Sequence, residues 1–197
     1  VVRALAPLRP VVVLDGAECA LWAEPLLADI PGVLTTPLGQ LGFIGTGLPF
    51  AIGYAEAALP DRPVVHLTGD GSFGFHLQEL DTLRRHRQPV LNIVFNNQVW
   101  GMSRNGQSCI FPNQPGLVSS LAGTAYWEMA AGLGVAARRV DTRAGIGPAI
   151  QRALETGGPA LVEIMTDPSV VHPATAQSIG IDSPGPQGVV VPYYENF

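Results

Sequence analysis

Four short runs of aliphatic residues, each bounded by turn formers, restrict this chain more than anything else in it. They are Val11-Val12-Val13-Leu14, Val64-Val65-His66-Leu67-Thr68, Val90-Leu91-Asn92-Ile93-Val94-Phe95 and Ala160-Leu161-Val162-Glu163-Ile164-Met165. Such near-continuous Val/Ile/Leu runs suit strands covered on both faces, the condition of a parallel sheet. A further short strand is expected near Val140. Helical patterns fill the gaps. Leu48 to Leu59 is Ala-rich and starts at a Gly-Leu-Pro turn, and Leu77, Leu80 and Leu83 form a stripe closed by Arg84, Arg85 and Arg87. Tyr126 to Leu133 and Ile146 to Glu155 complete the set, the second stopped by Gly157-Gly158-Pro159. This alternation predicts an α/β fold, a parallel sheet with helices on both faces. Residues 1–167 read as one domain without internal repeats. Residues 168–197, rich in Pro and Gly and ending Tyr193-Tyr194-Glu195-Asn196-Phe197, read as an extended arm.

With 197 residues the chain can bury one sizeable core, and it is short for two domains. Hydrophobic residues make up 47% and charged residues 14%, apolar enough to suggest that part of the surface is covered by another chain. Net charge is −5, and all 11 basic residues are arginines scattered beyond short pairs, which argues against nucleic acid as a partner. The uncharged stretch from Asn105 to Trp127 is filled with Gly, Pro, Ser, Asn and Gln and cannot span a bilayer. Cys19 and Cys109 are too few for a disulfide framework, and no signal-peptide pattern precedes the first strand; a cytoplasmic location is expected.

The chemistry concentrates at two strand ends. Gly69-Asp70-Gly71-Ser72 follows the second apolar run and opens a helix. A glycine-rich strand-to-helix turn lets backbone N–H groups approach a phosphate. The carboxylate of Asp70 would repel that phosphate unless a divalent cation stood between them. Magnesium, with about six oxygen ligands drawn from carboxylates, phosphates and water, meets the requirement. Asn96-Asn97 ends the third run, which one βαβ crossover brings beside the second, so Asn97 can offer an amide oxygen to the same ion. A rival reading takes Gly69, Gly71 and Gly74 as a dinucleotide fingerprint, making the chain a nicotinamide oxidoreductase. That reading lacks the acidic residue expected at the end of the next strand, since no acid lies between Asp81 and Glu128.

This GDG…NN pattern resembles the C-terminal, diphosphate-binding domain of the acetolactate synthase-like family of thiamine-diphosphate enzymes, over roughly residues 11–167. The resemblance implies a thiamine-diphosphate-binding fold with thiamine diphosphate and Mg2+ as cofactors. It makes Asp70, Asn97 and the backbone carbonyl of Val99 the metal ligands. Gly69, Gly71 and Ser72 would meet the diphosphate, with Trp100, Gly101 and Met102 lining the cofactor loop. Trp100, Met102 and Gln107 follow the metal loop as candidates for the substrate pocket, and plain packing suits Trp100 and Met102 equally. Upstream, Gly39-Gln40-Leu41-Gly42-Phe43-Ile44-Gly45-Thr46-Gly47 is similar to the family's glycine-rich segment. There Gly42 gives the backbone room, and Ile44 takes the place of the residue that props the cofactor into its bent form.

The loop after the first strand departs from the family. Many acetolactate synthases carry a Gln-His-Gln run there; Asp15-Gly16-Ala17-Glu18 replaces it, which puts that phosphate contact in doubt while keeping all four residues as cofactor-loop candidates. The tetrapeptide is closer to the Glu-Gly-Ala-Asn of oxalyl-CoA decarboxylase and 2-hydroxyacyl-CoA lyase. His66 on a strand, and His76 and His86 on a helix, read as structural; His172 in the arm could meet substrate if the arm folds over the site. The family's activating glutamate belongs to a separate pyrimidine-binding domain for which this chain has no room, so no catalytic residue is expected here. The chain therefore reads as one half of a lyase, carboligase or decarboxylase, active on a 2-oxo acid or a 2-hydroxyacyl-CoA only with a pyrimidine-binding partner. A non-catalytic regulatory subunit would also keep the fold, although intact Asp70 and Asn97 speak against it.

Overall fold

A computed structural model describes residues 1–37, 42–57, 62–110 and 118–178. The chain opens with a short helix α1 (Val2–Leu5) and a 3₁₀ turn, then alternates strand and helix. The order is β1 (Val11–Leu14), α2 (Ala17–Ala28), β2 (Leu34–Pro37), α3 (Gly47–Ala57), β3 (Val64–Gly69), α4 (Asp70–Gly74), α5 (Glu79–His86) and β4 (Val90–Asn96). There follow α6 (Gly101–Ile110), α7 (Tyr126–Gly132), β5 (Ala136–Val140), α8 (Arg143–Glu155), β6 (Ala160–Met165) and α9 (Pro173–Ser178). The strands form one parallel sheet in the order β2-β1-β3-β4-β6-β5, confirming the α/β layout.

Period-two alternation along each buried strand sorts its side chains to opposite faces. Val12, Leu14, Val65, Leu67, Leu91, Ile93, Val162 and Ile164 form one core with α1, α2 and α8. Val11, Val13, Val64, Val90, Val94 and Leu161 form the other with α3, α5 and α7. The second face also carries the buried polar positions His66, Asn92 and Glu163, one residue out of phase with the first core. There His66 and Asn92 stand opposite each other in the β3–β4 register, as do Val94 and Glu163 between β4 and β6.

Three elements carry weak sequence signals. Edge strand β2 is Leu34-Thr35-Thr36-Pro37, short and closed by a proline that donates nothing to a ladder. Helix α2 encloses Pro25, where the ring removes one intrahelical bond. Helix α6 carries Gly101 and Gly106, poor helix formers. Boundaries elsewhere moved little: α8 starts at Arg143 rather than Ile146, and α5 begins at Glu79. His76 accordingly sits in the turn between α4 and α5, not on a helix. Of the expected arm, residues 168–178 are described and end in α9, which packs against α6 instead of running extended; 179–197 lie outside the described residues. No helix among the described residues is long and apolar enough to cross a membrane.

Candidate functional site

The C-terminal ends of β1, β3 and β4 converge where the chain leaves the sheet in opposite directions, between β1 and β3, the crevice in which open α/β sheets take ligands. β3 runs into Gly69, whose extended backbone (φ −82°, ψ 159°) turns directly into α4. The Asp70 side chain is 4% exposed. Its Oδ1 accepts the Gly71 N–H at 2.9 Å, and its Oδ2 accepts the Gln98 N–H at 2.8 Å. Gln98 also donates to Asn96 Oδ1 at 3.0 Å and adopts φ +61°, a left-handed conformation that non-glycine residues take only when surroundings hold them there. One residue back, Asn97 Oδ1 accepts the Val99 N–H at 3.2 Å.

Val99 pairs with Ser120 in an isolated antiparallel bridge. Its two hydrogen bonds run from Trp100 N–H to the Ser119 carbonyl and from Leu121 N–H to the Gln98 carbonyl. They bracket Val99 and leave its own carbonyl out of the bridge. Asp70, Asn97 and the Val99 carbonyl thus sit on two turns stitched by one shared N–H.

Burial pushes the Asp70 carboxyl up to about 6, against the pull of the Gly71 and Gln98 N–H groups and with help from the negative charge of Glu163. A carboxylate kept in such a place, hydrogen-bonded among the described residues to backbone donors, suits a cation. No cluster of three His, Cys, Asp or Glu side chains is placed to hold a metal among the described residues. Asp70, Asn97 and the Val99 carbonyl offer a carboxylate, an amide and a backbone carbonyl, all oxygens, the donor type that Mg2+ prefers.

Of the remaining candidates, Gly16 and Trp100 lie against this turn. Gly16 (φ +84°) lies over it: a β-carbon there would come within 3.0 Å of Ser72 Oγ and 3.1 Å of the Gly69 nitrogen. Trp100 covers Gly71, whose hypothetical β-carbon would stand 2.5 Å from the indole Cζ3. The Trp100 ring also meets Phe75 at 6.0 Å between centroids. Ala17 begins α2 behind Gly16. Glu18, one residue further, lies against Gly101 and accepts from Asn105 Nδ2 at 2.7 Å. Burial raises its carboxyl above the usual range, countered by Asn105, Arg104 and His172. Met102 is 40% exposed on α6, and Gly42 (φ +70°) has open space around it. Ile44 is half-buried; Gly39, Gln40 and Leu41 of its segment lie outside the described residues.

Asp15 behaves differently from a ligand contact. It is 1% exposed, and its Oδ1 and Oδ2 accept the N–H groups of Gly45 and Gly47 at 3.0 and 2.8 Å. Burial alone would raise its carboxyl; the nearby His66 imidazole and those two N–H groups outweigh burial and hold it below the usual value. His66 Nε2 is 3.9 Å from Asp15 Oδ2, too far for a hydrogen bond, and finds no partner among the described residues, whereas Nδ1 faces Asn92 Oδ1 at 3.1 Å. Since Asn92 Nδ2 donates to the Ala160 carbonyl, its Oδ1 is the acceptor and the His66 proton sits on Nδ1.

Several participants carry no sequence signal. Glu163, 1% exposed in the middle of β6, accepts from Asn96 Nδ2 at 2.5 Å and from the Trp127 N–H at 3.1 Å. Asn96 Nδ2 also donates to the Thr124 carbonyl. Tyr126 stands close by, its hydroxyl pushed up to about 12 by burial and by Asp70 and Glu163. At the outer rim, His172 packs edge-on against Trp22 at 4.4 Å, and Arg104 donates to the Pro168 carbonyl, tying the start of the arm to α6.

Comparison with known proteins identifies the family. Residues 15–164 match the family described as thiamine pyrophosphate enzyme, C-terminal TPP binding domain. A probable acetolactate synthase from Mycobacterium bovis is 36% identical over 164 residues, covering 82% of this chain and 29% of that protein. A 2-hydroxyacyl-CoA lyase from Oryza sativa is 32% identical over 163 residues, covering 81% and 28%. The fold matches benzoylformate decarboxylase from Polynucleobacter necessarius with a TM-score of 0.71 at 24% identity, over 86% of this chain and 33% of that one. The chain spans less than a third of the length of the curated relatives it matches.

Proposed function

Because this chain belongs to the thiamine pyrophosphate enzymes, whose C-terminal domain it carries, we propose that it is the diphosphate- and Mg2+-holding half of an acetolactate synthase-like lyase, carboligase or decarboxylase acting on a 2-oxo acid. Thiamine diphosphate with Mg2+ is the cofactor of the family. When bound, it supplies a nucleophilic carbon and an electron sink for making or breaking a bond beside a carbonyl.

The residues of this chain would hold it rather than react. Asp70, Asn97 and the Val99 carbonyl supply three oxygens to the ion. Gly69, Gly71 and Ser72 leave the backbone low enough for phosphate to approach, with Gly16 crossing above. Trp100, Gly101 and Met102 continue the wall, and Ile44 is the prop for the bent cofactor. The observation that carries this reading is the buried Asp70 carboxylate, whose oxygens take one N–H from its own turn and one from the Asn97–Val99 turn. A pyrimidine-binding partner, on a separate subunit or another part of a longer chain, brings the activating glutamate.

The acyl-CoA alternative draws on Asp15-Gly16-Ala17-Glu18. An acidic Glu18 beside Gly101 is a poor phosphate contact, unlike the Gln-His-Gln run of many acetolactate synthases.

Co-expression with the neighbouring open reading frame, followed by assay with thiamine diphosphate and Mg2+, tests the proposal. Turnover of a 2-oxo acid is expected, lost on Asp70→Ala or Asn97→Ala. Turnover of a 2-hydroxyacyl-CoA alone would select the alternative. Full activity of this chain without a partner, or cofactor binding untouched by both substitutions, would overturn the assignment.

A further inference from the structure

Gly45, the neighbour of Ile44, is gripped through the peptides on both its sides by residues that no phosphate or metal role requires. Asp15, at the end of β1, accepts the N–H of Gly45 at 3.0 Å and that of Gly47 at 2.8 Å. From the opposite side His76 Nδ1 meets the carbonyl oxygen of Gly45 at 2.5 Å. A carbonyl only accepts, so Nδ1 carries the proton there. Phe75 closes the third side, since a β-carbon on Gly45 would lie 2.6 Å from Phe75 Cβ, and Gly45 itself has φ +87°. Every polar group of Gly45 is therefore used by a residue from another element, and the glycine cannot be replaced without moving one of them.

We propose that Asp15 and His76 are a positioning pair, which clamps the Gly45 peptide and so fixes how far Ile44 projects into the cofactor crevice. Asp15 leads from β1 into Gly16, which lies on Gly69 and Ser72, so one dipeptide sets both the height of the prop and the roof of the phosphate turn. His76 hangs from the turn after α4, the helix that Asp70 opens, and ties the same loop to the metal side. This inference rests on reading Ile44 as the prop; it adds what holds the prop in place.

The test uses the complete assembly and three readouts. These are amide hydrogen exchange of segment 42–50 without cofactor, the dissociation constant of thiamine diphosphate at saturating Mg2+, and the Mg2+ concentration for half-saturation. His76→Leu removes the donor and His76→Asn restores one at similar reach; Asp15→Ala removes both acceptors. The leucine and alanine variants should speed exchange and weaken thiamine diphosphate about tenfold, the scale of one lost hydrogen bond. Mg2+ half-saturation should stay unchanged, and His76→Asn should match the parent.

A His76→Asn variant as impaired as His76→Leu overturns the clamp, as does faster exchange with unaltered cofactor affinity. If Asp15→Ala does not fold, the His76 pair decides alone, because that half-exposed turn residue leaves the core intact. Failure of the parent assembly to bind thiamine diphosphate would refute the functional reading itself, which separates that failure from failure of the clamp.

Discussion

Asp70 Oδ2 accepts the N–H of Gln98 at 2.8 Å, joining the turn after β3 to the turn after β4. One carboxylate thereby shapes the loop that carries Asn97 and Val99 and remains as the charged member of the donor set. Those two duties can be separated. Asp70→Asn should lose at least about 100-fold in Mg2+-dependent cofactor affinity, since a charged ligand becomes neutral. Without metal at pH 8 the same variant should melt close to the parent, because removal of a buried charge offsets the acceptor that the Gly71 or Gln98 N–H loses. Melting curves with and without Mg2+ check this, and the parent should gain far more than the variant on adding the ion with cofactor.

The raised Asp70 carboxyl fixes a pH dependence and its sign. The folded state binds this proton up to about pH 6, whereas the unfolded chain releases it near its ordinary 3.8. In that window the folded state holds more protons, so metal-free stability falls as pH rises from about 4 to about 6, by at most about 3 kcal/mol. Urea midpoints across the window should show this slope in the parent and lose it in Asp70→Asn. Binding of Mg2+ with cofactor at pH 6 should release protons, and at pH 8 almost none. Calorimetry in buffers of different ionisation enthalpy reads the difference directly.

Gly71→Ala places a methyl group where the Trp100 ring lies, 2.5 Å from Cζ3. The indole must swing away, costing about 1–3 kcal/mol of stability as for other overpacked sites. A shift in tryptophan emission should accompany the loss. An unchanged spectrum and unchanged stability would mean that Trp100 does not cover this turn.

Glu163→Ala removes one of the two acceptors of the Asn96 amide and the acceptor of the Trp127 N–H in a buried place, at a cost of about 2–4 kcal/mol. Glu163→Gln keeps one acceptor oxygen and should cost about half as much. It also removes the negative charge that helps to raise Asp70. Proton release on Mg2+ binding at pH 6 should therefore shrink in Glu163→Gln, a change that a mere packing defect would not produce.

The strands with all or nearly all residues buried were legible because burial on two faces leaves one sequence solution, a continuous apolar run; β1, β3, β4 and β6 follow it. Edge strand β2 and the glycine- and proline-containing helices α6 and α2 are held by their neighbours, so their own residues announce little. Asp70 and Asn97 stood out because their motif is local to two turns. Glu163, Tyr126 and His76 did not, because their roles depend on which distant strand or loop lies alongside; Asn96 and Glu163 are 67 positions apart. Asp15 was visible as a strand-end acid, but a sequence cannot tell whether such a side chain turns toward the crevice or back under the next loop.

The hydrogen bond from Asn96 to Glu163 has a consequence for how stability is distributed. It makes the order of the metal turn conditional on β6, and β6 in turn carries the edge strand β5 and packs against α8. Opening of that outer edge by local unfolding would release Glu163 and with it the geometry of Asn96 and Gln98. By reciprocity, occupancy of the crevice at one end of the sheet should slow the breathing of the β5–α8–β6 edge, so the far side of the domain reports on whether the site is filled.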